Sequence, residues 1–213
     1  MAAKRLQLGK RELMFKKLLI GFILITSLLS CGYAENPGYL ATNSSLSEQE
    51  ISDLLWMVEE EKLASDVYGE LYDLWGLRPF YNIGARSEVQ HVEAVNYLLA
   101  TYGIENPSSS TRGEFSNPDL QALYDKLIAQ GTQSLEQALY VGATIEEVDI
   151  VDLQNALAQT TQADIATVYK NLMMGSSNHL QAFMSQIEAR GYSYTPQYLD
   201  EATFYAILDG TWN

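Results

Sequence analysis

Residues 47–76 read SEQEISDLLWMVEEEKLASDVYGELYDLWG, and their spacing decides the fold. Ser47-Glu48-Gln49-Glu50 is a capping box, in which Ser and Glu side chains satisfy each other's orphan backbone amides at a helix start. Apolar residues then recur at Ile51, Leu54, Leu55, Val58, Ala64, Val67, Tyr68, Leu71 and Leu74, a helical period that Gly76 stops. With Leu54, Val58, Ser65, Tyr68 and Tyr72 as the inward row, Glu61 falls inside that row. Glu59 and Glu60 point elsewhere and read as a solvated face. A carboxylate at a core position is costly unless it is paired or holds a metal, so Glu61 is the first residue whose chemistry needs explaining.

The same period continues outward. A second helix is expected from about Tyr81 to Tyr102, with Val89, Val92, Val95, Leu98 and Leu99 as its stripe and Gly103 as its stop. Residues 104–117 carry Asn106, Pro107, Ser108, Gly113 and Asn117 and read as a loop. Pro118 to Gln130 forms a short helix closed by Gly131. Ser134-Leu135-Glu136-Gln137 opens a third long helix reaching about Gln159. Thr161-Gln162-Ala163-Asp164 caps a fourth, which ends at Arg190 before Gly191. No strand alternation of useful length appears, so the body is all-α. Short links make helices one and two, and three and four, antiparallel hairpins, and the stretch between the pairs is long enough to cross the bundle. The expected domain spans residues 46–191. The tyrosine-rich residues 192–213, ending near Trp212, pack back over it.

The chain has 213 residues, 47% of them hydrophobic, with 13 Lys+Arg, 27 Asp+Glu, two His and one Cys. That length supports one domain with a proper core plus a tail. A net charge of −14 excludes nucleic-acid binding, which needs a basic footprint. One cysteine excludes a disulfide framework and a thiolate metal cage. Residues 32–213 hold 7 basic and 26 acidic side chains, a field that attracts cations. The basic residues concentrate at the start. Lys16-Lys17, an apolar run from Leu18 to Leu29, then Ser30-Cys31 resemble a bacterial lipoprotein signal (residues 1–30), with Leu28-Leu29-Ser30-Cys31 as the lipobox and Met14 an alternative start. The resemblance implies an exported, envelope protein anchored to a membrane through acylated Cys31. Gly32 and Tyr33 after the cysteine fit an outer-membrane destination. Residues 31–45 read as a flexible tether.

The remaining acids and both histidines fall at mid-helix. Glu88-Val89-Gln90-His91 is an i, i+3 pair whose members reach one ion from adjacent turns. Helix three carries Glu146-Glu147-Val148-Asp149 and helix four carries Ser176-Ser177-Asn178-His179. Asp149 stands 30 residues before His179, the interval that also separates Glu61 from His91. Met173-Met174 reads as core filler.

EEEKLASDVY (59–68), SEVQHVEAV (87–95), GATIEEVDIVDL (142–153) and GSSNHLQAF (175–183) resemble the ferritin-like DUF2202 family, and through it the ferritin-like di-iron carboxylate superfamily. The resemblance covers roughly residues 47–191 and implies a ferritin-like four-helix bundle, two antiparallel hairpins joined by a long crossover containing a short helix. It implies Glu61 and Glu146 as single carboxylate ligands, Glu88 and His91 as one ligand pair, and His179 as the end of the other. Ser176 stands where that pattern places a second Glu. Asp149 offers a replacement carboxylate, favoured by the internal interval. Glu146 is favoured by motif position and side-chain length. The departure leaves an asymmetric di-metal site, a single metal and a site without function all open.

Oxygen and imidazole donors suit Fe, Mn and Zn. The resemblance implies a di-iron centre (Mn or Zn as alternatives) acting on peroxide, O₂ or Fe²⁺, with a separate electron donor because no second cysteine cluster exists to form a rubredoxin-type domain. Tyr68 is placed to donate a hydrogen bond to a bound oxygen species. The competing expectations are a non-catalytic envelope bundle that docks a partner through its tyrosine-rich surface, and a single-Zn hydrolase at the same ligands.

Overall fold

Ser47 caps the first helix, α1 (Glu48–Trp75). Its hydroxyl accepts the Glu50 N–H at 3.1 Å, and the Glu50 carboxylate accepts the Ser47 N–H at 2.8 Å. This is the reciprocal pairing that the sequence expects. The computed structural model describes residues 46–212, so the signal, the tether and Cys31 lie outside the described residues. After Gly76 come α2 (Arg78–Asn82), a π-helical turn (Ile83–Glu88) and α3 (Val89–Tyr102). They are followed by α4 (Pro118–Gly131), α5 (Leu135–Gln159), α6 (Ala163–Glu188) and α7 (Glu201–Leu208). All regular structure among the described residues is helical, and no described helix is long and apolar enough to cross a membrane.

Contact pairs set the directions. Ser65 meets Gly84 while Glu61 meets His91, so α1 and the α2–α3 arm run antiparallel. Gly142 faces Phe183 while Asp149 meets Ser176, so α5 and α6 are antiparallel too. Tyr68 reaches Glu146 and Glu50 reaches Thr161, which makes α1 antiparallel to α5. It follows that α3 and α5 run the same way, and the connection 103–134 must travel the length of the bundle. Its helix α4 lies against both α1 and α5 on the way. Asn117 starts that helix by accepting the Asp119 and Leu120 N–H groups.

The apolar interior is split. Tyr68, Leu71, Phe80, Leu139, Phe183 and Phe204 belong to one buried cluster; Leu54, Val58, Val95, Leu153, Ile165 and Tyr169 belong to a second. Along each long helix buried acids and histidines fall between the two clusters, so the bundle carries a polar layer sandwiched by oil. Residues after α6 fold back, burying Leu199, Phe204 and Ile207 against the first cluster. Asp200 caps α7 by accepting the Thr203 N–H at 3.0 Å.

Several local expectations are corrected. Residues 161–164 do not form a capping box: α6 begins at Ala163 after Gln162, which makes no side-chain cap. Asp164 instead accepts the Tyr102 hydroxyl at 2.8 Å, tying α6 to the end of α3. The cap that follows α4 is Thr132 in right-handed conformation, and Gly131 is the last residue of the helix. A Cβ there would sit 2.7 Å from Leu71 Cδ2, and Trp75 Nε1 donates to its carbonyl at 3.0 Å, so close packing requires it. Met174 is 62% exposed, while Met173 packs against both clusters; a step of one residue turns a helix face by about 100°.

Candidate metal centre

Glu59, Glu60 and Glu61 are all buried, at 2–3% exposure, so the expected solvated face does not exist. The three do different work. Glu59 accepts the Ser116 and Asn117 N–H groups at 2.7 and 2.9 Å and so pins the crossover just before α4. Glu60 accepts Trp56 Nε1 at 3.0 Å, and its other oxygen has no partner. Glu61 enters the polar layer.

The layer is organised around Glu88. Its Oε2 lies 2.9 Å from His91 Nδ1 and its Oε1 2.9 Å from His179 Nδ1. Glu61 Oε2 approaches His91 Nδ1 at 3.1 Å, and Glu146 Oε2 approaches His179 Nδ1 at 3.4 Å. The result is two triads, Glu61–Glu88–His91 and Glu88–Glu146–His179, whose donor atoms lie within 4.8 Å of one another in each. They share Glu88. The imidazoles stack with ring centroids 5.4 Å apart.

Asp149 is buried beside this pair of triads but in neither. Ser176 Oγ donates to its Oδ2, with the Leu172 carbonyl 3.0 Å away as an alternative acceptor, and Asp149 Oδ1 is buried without a partner. Geometry therefore sets Glu146, not Asp149, beside His179, and turns Ser176 into the holder of Asp149. Tyr68, fully buried, gives its hydroxyl to Glu146 Oε1, with the Gly142 carbonyl at 3.3 Å. The proton expected to serve a bound oxygen species is engaged with a carboxylate.

The π turn was not visible in the sequence, yet it positions the centre. Ser65 Oγ donates to the Gly84 carbonyl at 2.9 Å, satisfying an acceptor in the widened turn. A Cβ at Gly84 would lie 2.7 Å from Tyr68 Cβ, so only glycine lets the turn sit on α1. At the far end of the turn Ser87 Oγ lies 2.7 Å from His179 Nε2. Engaging the outer nitrogen leaves Nδ1 to face the carboxylates, the arrangement by which partner groups orient metal-binding imidazoles. Gly175 does a similar service: a Cβ there would stand 2.6 Å from His91 Nε2. Ser87, Gly84 and Gly175 carry no motif that sequence reasoning detects. Only the neighbours across the bundle give them meaning.

Electrostatics follow from the crowding. Burial raises the Glu88 carboxyl, but hydrogen bonds and charge from His179 and His91 overcome this and hold it at about 2. Burial opposes protonation of His91, yet Glu61 and Glu88 raise it to about 11; His179 reaches about 10 against the same opposition, through Glu146 and Glu88. Burial and Asp149 push Glu61 well above the carboxylate range. Burial also raises Asp149 to about 7, Ser176 notwithstanding. Without a metal the layer thus retains protons at pH 7 to offset its own negative charge. Divalent cations would displace them, as metals do when they bind imidazole and carboxylate ligands. Unpaired oxygens on Glu61 and Asp149 remain as acceptors for such an ion.

An all-helical bundle with a buried carboxylate–histidine layer is the class these features define. The chain belongs to the family described as "Uncharacterized protein domain (DUF2202)", which it matches over residues 50–211. It is 46% identical over 167 residues to the uncharacterized protein MJ0754 of Methanocaldococcus jannaschii, covering 78% of this chain and 90% of that protein. It is also similar to the crystal structure of a hypothetical protein MJ0754 from Methanococcus jannaschii, with a TM-score of 0.76 and 44% identity, covering 83% of this chain and 98% of that one.

Proposed function

We propose that this protein is a ferritin-like metalloprotein whose polar layer holds two iron (or manganese) ions and acts on peroxide, O₂ or Fe²⁺. The observation that carries the reading is Glu88, whose two oxygens each lie 2.9 Å from Nδ1 of a different histidine. A carboxylate so placed could serve as a ligand to an ion held with either histidine. Glu61 and His91 would hold one ion, Glu146 and His179 the other, with Asp149 supplying a further oxygen in place of the glutamate absent at 176. Oxygen and nitrogen donors in this proportion suit Fe, Mn and Zn. Bound iron or manganese supplies the one-electron steps that this chain's side chains lack. Tyr68 fixes the orientation of Glu146, and Ser87 fixes the ring of His179. The two flanking apolar clusters keep bulk water from the layer. A separate donor would supply electrons in peroxide or O₂ reduction. Export and anchoring through Cys31 complete the proposal, on the strength of the Ser30-Cys31 segment; loss of membrane association in Cys31→Ser would test that part.

The test is metal content per chain after purification without chelator, for wild type and for His91→Ala and His179→Ala. Close to two Fe or Mn per chain, lost in both variants, is the expected result, with peroxide turnover and Fe²⁺ oxidation as the next assays. No metal bound after reconstitution with Fe²⁺, Mn²⁺ and Zn²⁺, with the fold intact, sinks the reading. The Ser176–Asp149 pairing favours a second reading, a bundle that binds metal without turnover. A loaded protein unchanged by O₂ and peroxide would select it.

A further inference from the structure

Between α1 and α5 a second group of acids adjoins the centre without belonging to either triad. Asp53 and Glu60 stand two turns apart on α1; Asp149 and Asp152 stand one turn apart on α5. Asp53 and Asp152 are half-buried, whereas Glu60 is 3% exposed and next to Glu61. The acids therefore descend from the surface to the polar layer.

What marks the group is how its oxygens are left. Glu60 Oε1 is buried with no partner, and the charged neighbours acting on it, Asp152, Asp149 and Glu61, are all negative. Trp56 Nε1 donates to the other Glu60 oxygen and also bears on Asp152, which shares a hydrogen bond with Glu60. Burial and the Asp53 charge raise Asp152 to about 6, while burial and its three acidic neighbours raise Glu60 well above the ordinary carboxylate range. Elsewhere in the molecule a buried glutamate with a structural job receives backbone N–H groups, as Glu59 does. Glu60 receives none. A hard cation satisfies such an oxygen, and two carboxylates without a closed cage release it again.

We propose that Asp53, Asp152 and Glu60 form the route by which a hydrated divalent cation reaches the Glu61 half of the centre, with Glu60 and Asp152 as its transit site. This rests on the metal reading above. The half-exposed acids collect the ion from solvent, and the unpaired Glu60 oxygen replaces part of its water shell. Glu61 and Asp149, with their own unpaired oxygens, take it onward.

Cobalt(II) alone, added to the metal-free protein and followed by its visible absorption in a stopped-flow instrument, tests the route, with bound cobalt per chain as the second readout. Glu60→Gln and Asp152→Asn are expected to slow uptake about tenfold or more while final cobalt per chain matches wild type. Asp53→Lys, at a half-exposed position, is expected to slow it by a smaller factor, most clearly at low salt. Unchanged uptake rates in all three variants overturn the route. Reduced cobalt per chain in Glu60→Gln or Asp152→Asn also overturns it, because those residues would then be permanent ligands. The metal reading fails separately, and the route with it, if wild type takes up no cobalt while remaining folded.

Discussion

Two sets of buried carboxylates occupy this bundle and are handled in opposite ways. Glu147, fully buried, accepts the N–H groups of Gln197, Tyr198 and Leu199 and the Tyr194 hydroxyl at 2.6–2.9 Å, tying the returning chain to α5. Glu59 does the same for the crossover, and Glu50 for the α5–α6 turn through Thr160 and Thr161. Glu60, Glu61 and Asp149 have comparable burial but each keeps an oxygen with no partner. Glu146, adjacent to Glu147 in sequence, fits neither set: it accepts the Tyr68 hydroxyl and faces His179. The first set stabilises the fold. The second is tolerated at a cost that a bound cation would offset, as perturbed groups at functional sites generally are. Residue type and burial therefore do not identify a site; the partner of each oxygen does.

The comparison breaks most readily at Glu147. Glu147→Ala leaves three backbone donors without their acceptor and the Tyr194 hydroxyl with Thr144 alone, and should cost about 3–5 kcal/mol in urea unfolding. A loss under about 1 kcal/mol would mean that the anchor role is misassigned. Glu61→Gln should have the opposite sign. Its folded-state pKa is raised, so the metal-free protein loses stability as pH rises above the ordinary carboxylate range. The variant removes that loss and should unfold about 1–2 kcal/mol later at pH 7, while binding less metal. Equal or lower stability would dissolve the distinction between the two sets.

A third comparison uses acid. The Glu50 pKa is lowered to about 2 by hydrogen bonds from Ser47, Thr161 and Thr160, which outweigh the burial that raises it. Its contribution is present above about pH 4.5 and disappears as pH falls toward 2. The stability gap between wild type and Glu50→Gln should close over that window; a constant gap would show that the carboxylate charge is irrelevant. The smallest effect belongs to Ser176→Ala. Removing the donor to Asp149 Oδ2 should cost about 1 kcal/mol. Metal loss as complete as in His179→Ala would show that Ser176 acts as more than the holder of Asp149.

Much of the architecture was legible because it is local. The Ser47–Glu50 box, the periodic stripes and the short links depend on residues a few positions apart. Glu88 and His91 were legible for the same reason, since i and i+3 share a helix face whatever surrounds them. Glu59 and Glu147 were not, because their partners lie 50 or more residues away in segments without regular structure. The inward row on α1 admitted Glu61 and left out Glu59 and Glu60. Yet the crossover covers one of these and α5 the other, so the helix has no fully wet side at that level. Ser176 could be read as a missing ligand but not as the donor to Asp149. That relation exists only where α5 and α6 cross.

The π turn at Ile83–Glu88 acts as a phase shifter in this helical arm. Before it and at its first residue, Phe80 and Ile83 face the first apolar cluster; from its last residue onward, Glu88 and His91 face the polar layer and Val95 the second cluster. An ordinary α-helix through the same residues would lack the extra residue that reconciles these bearings. Deleting one residue from the turn would swing everything after it by about 100°. Phe80 and Ile83 on one side of the deletion, and the Glu88–His91 pair with the Val95–Leu99 stripe on the other, would then need incompatible rotations. The single widened turn thus couples the aim of Glu88 and His91 to the packing of the arm, and a change of chain length there cannot alter one without the other.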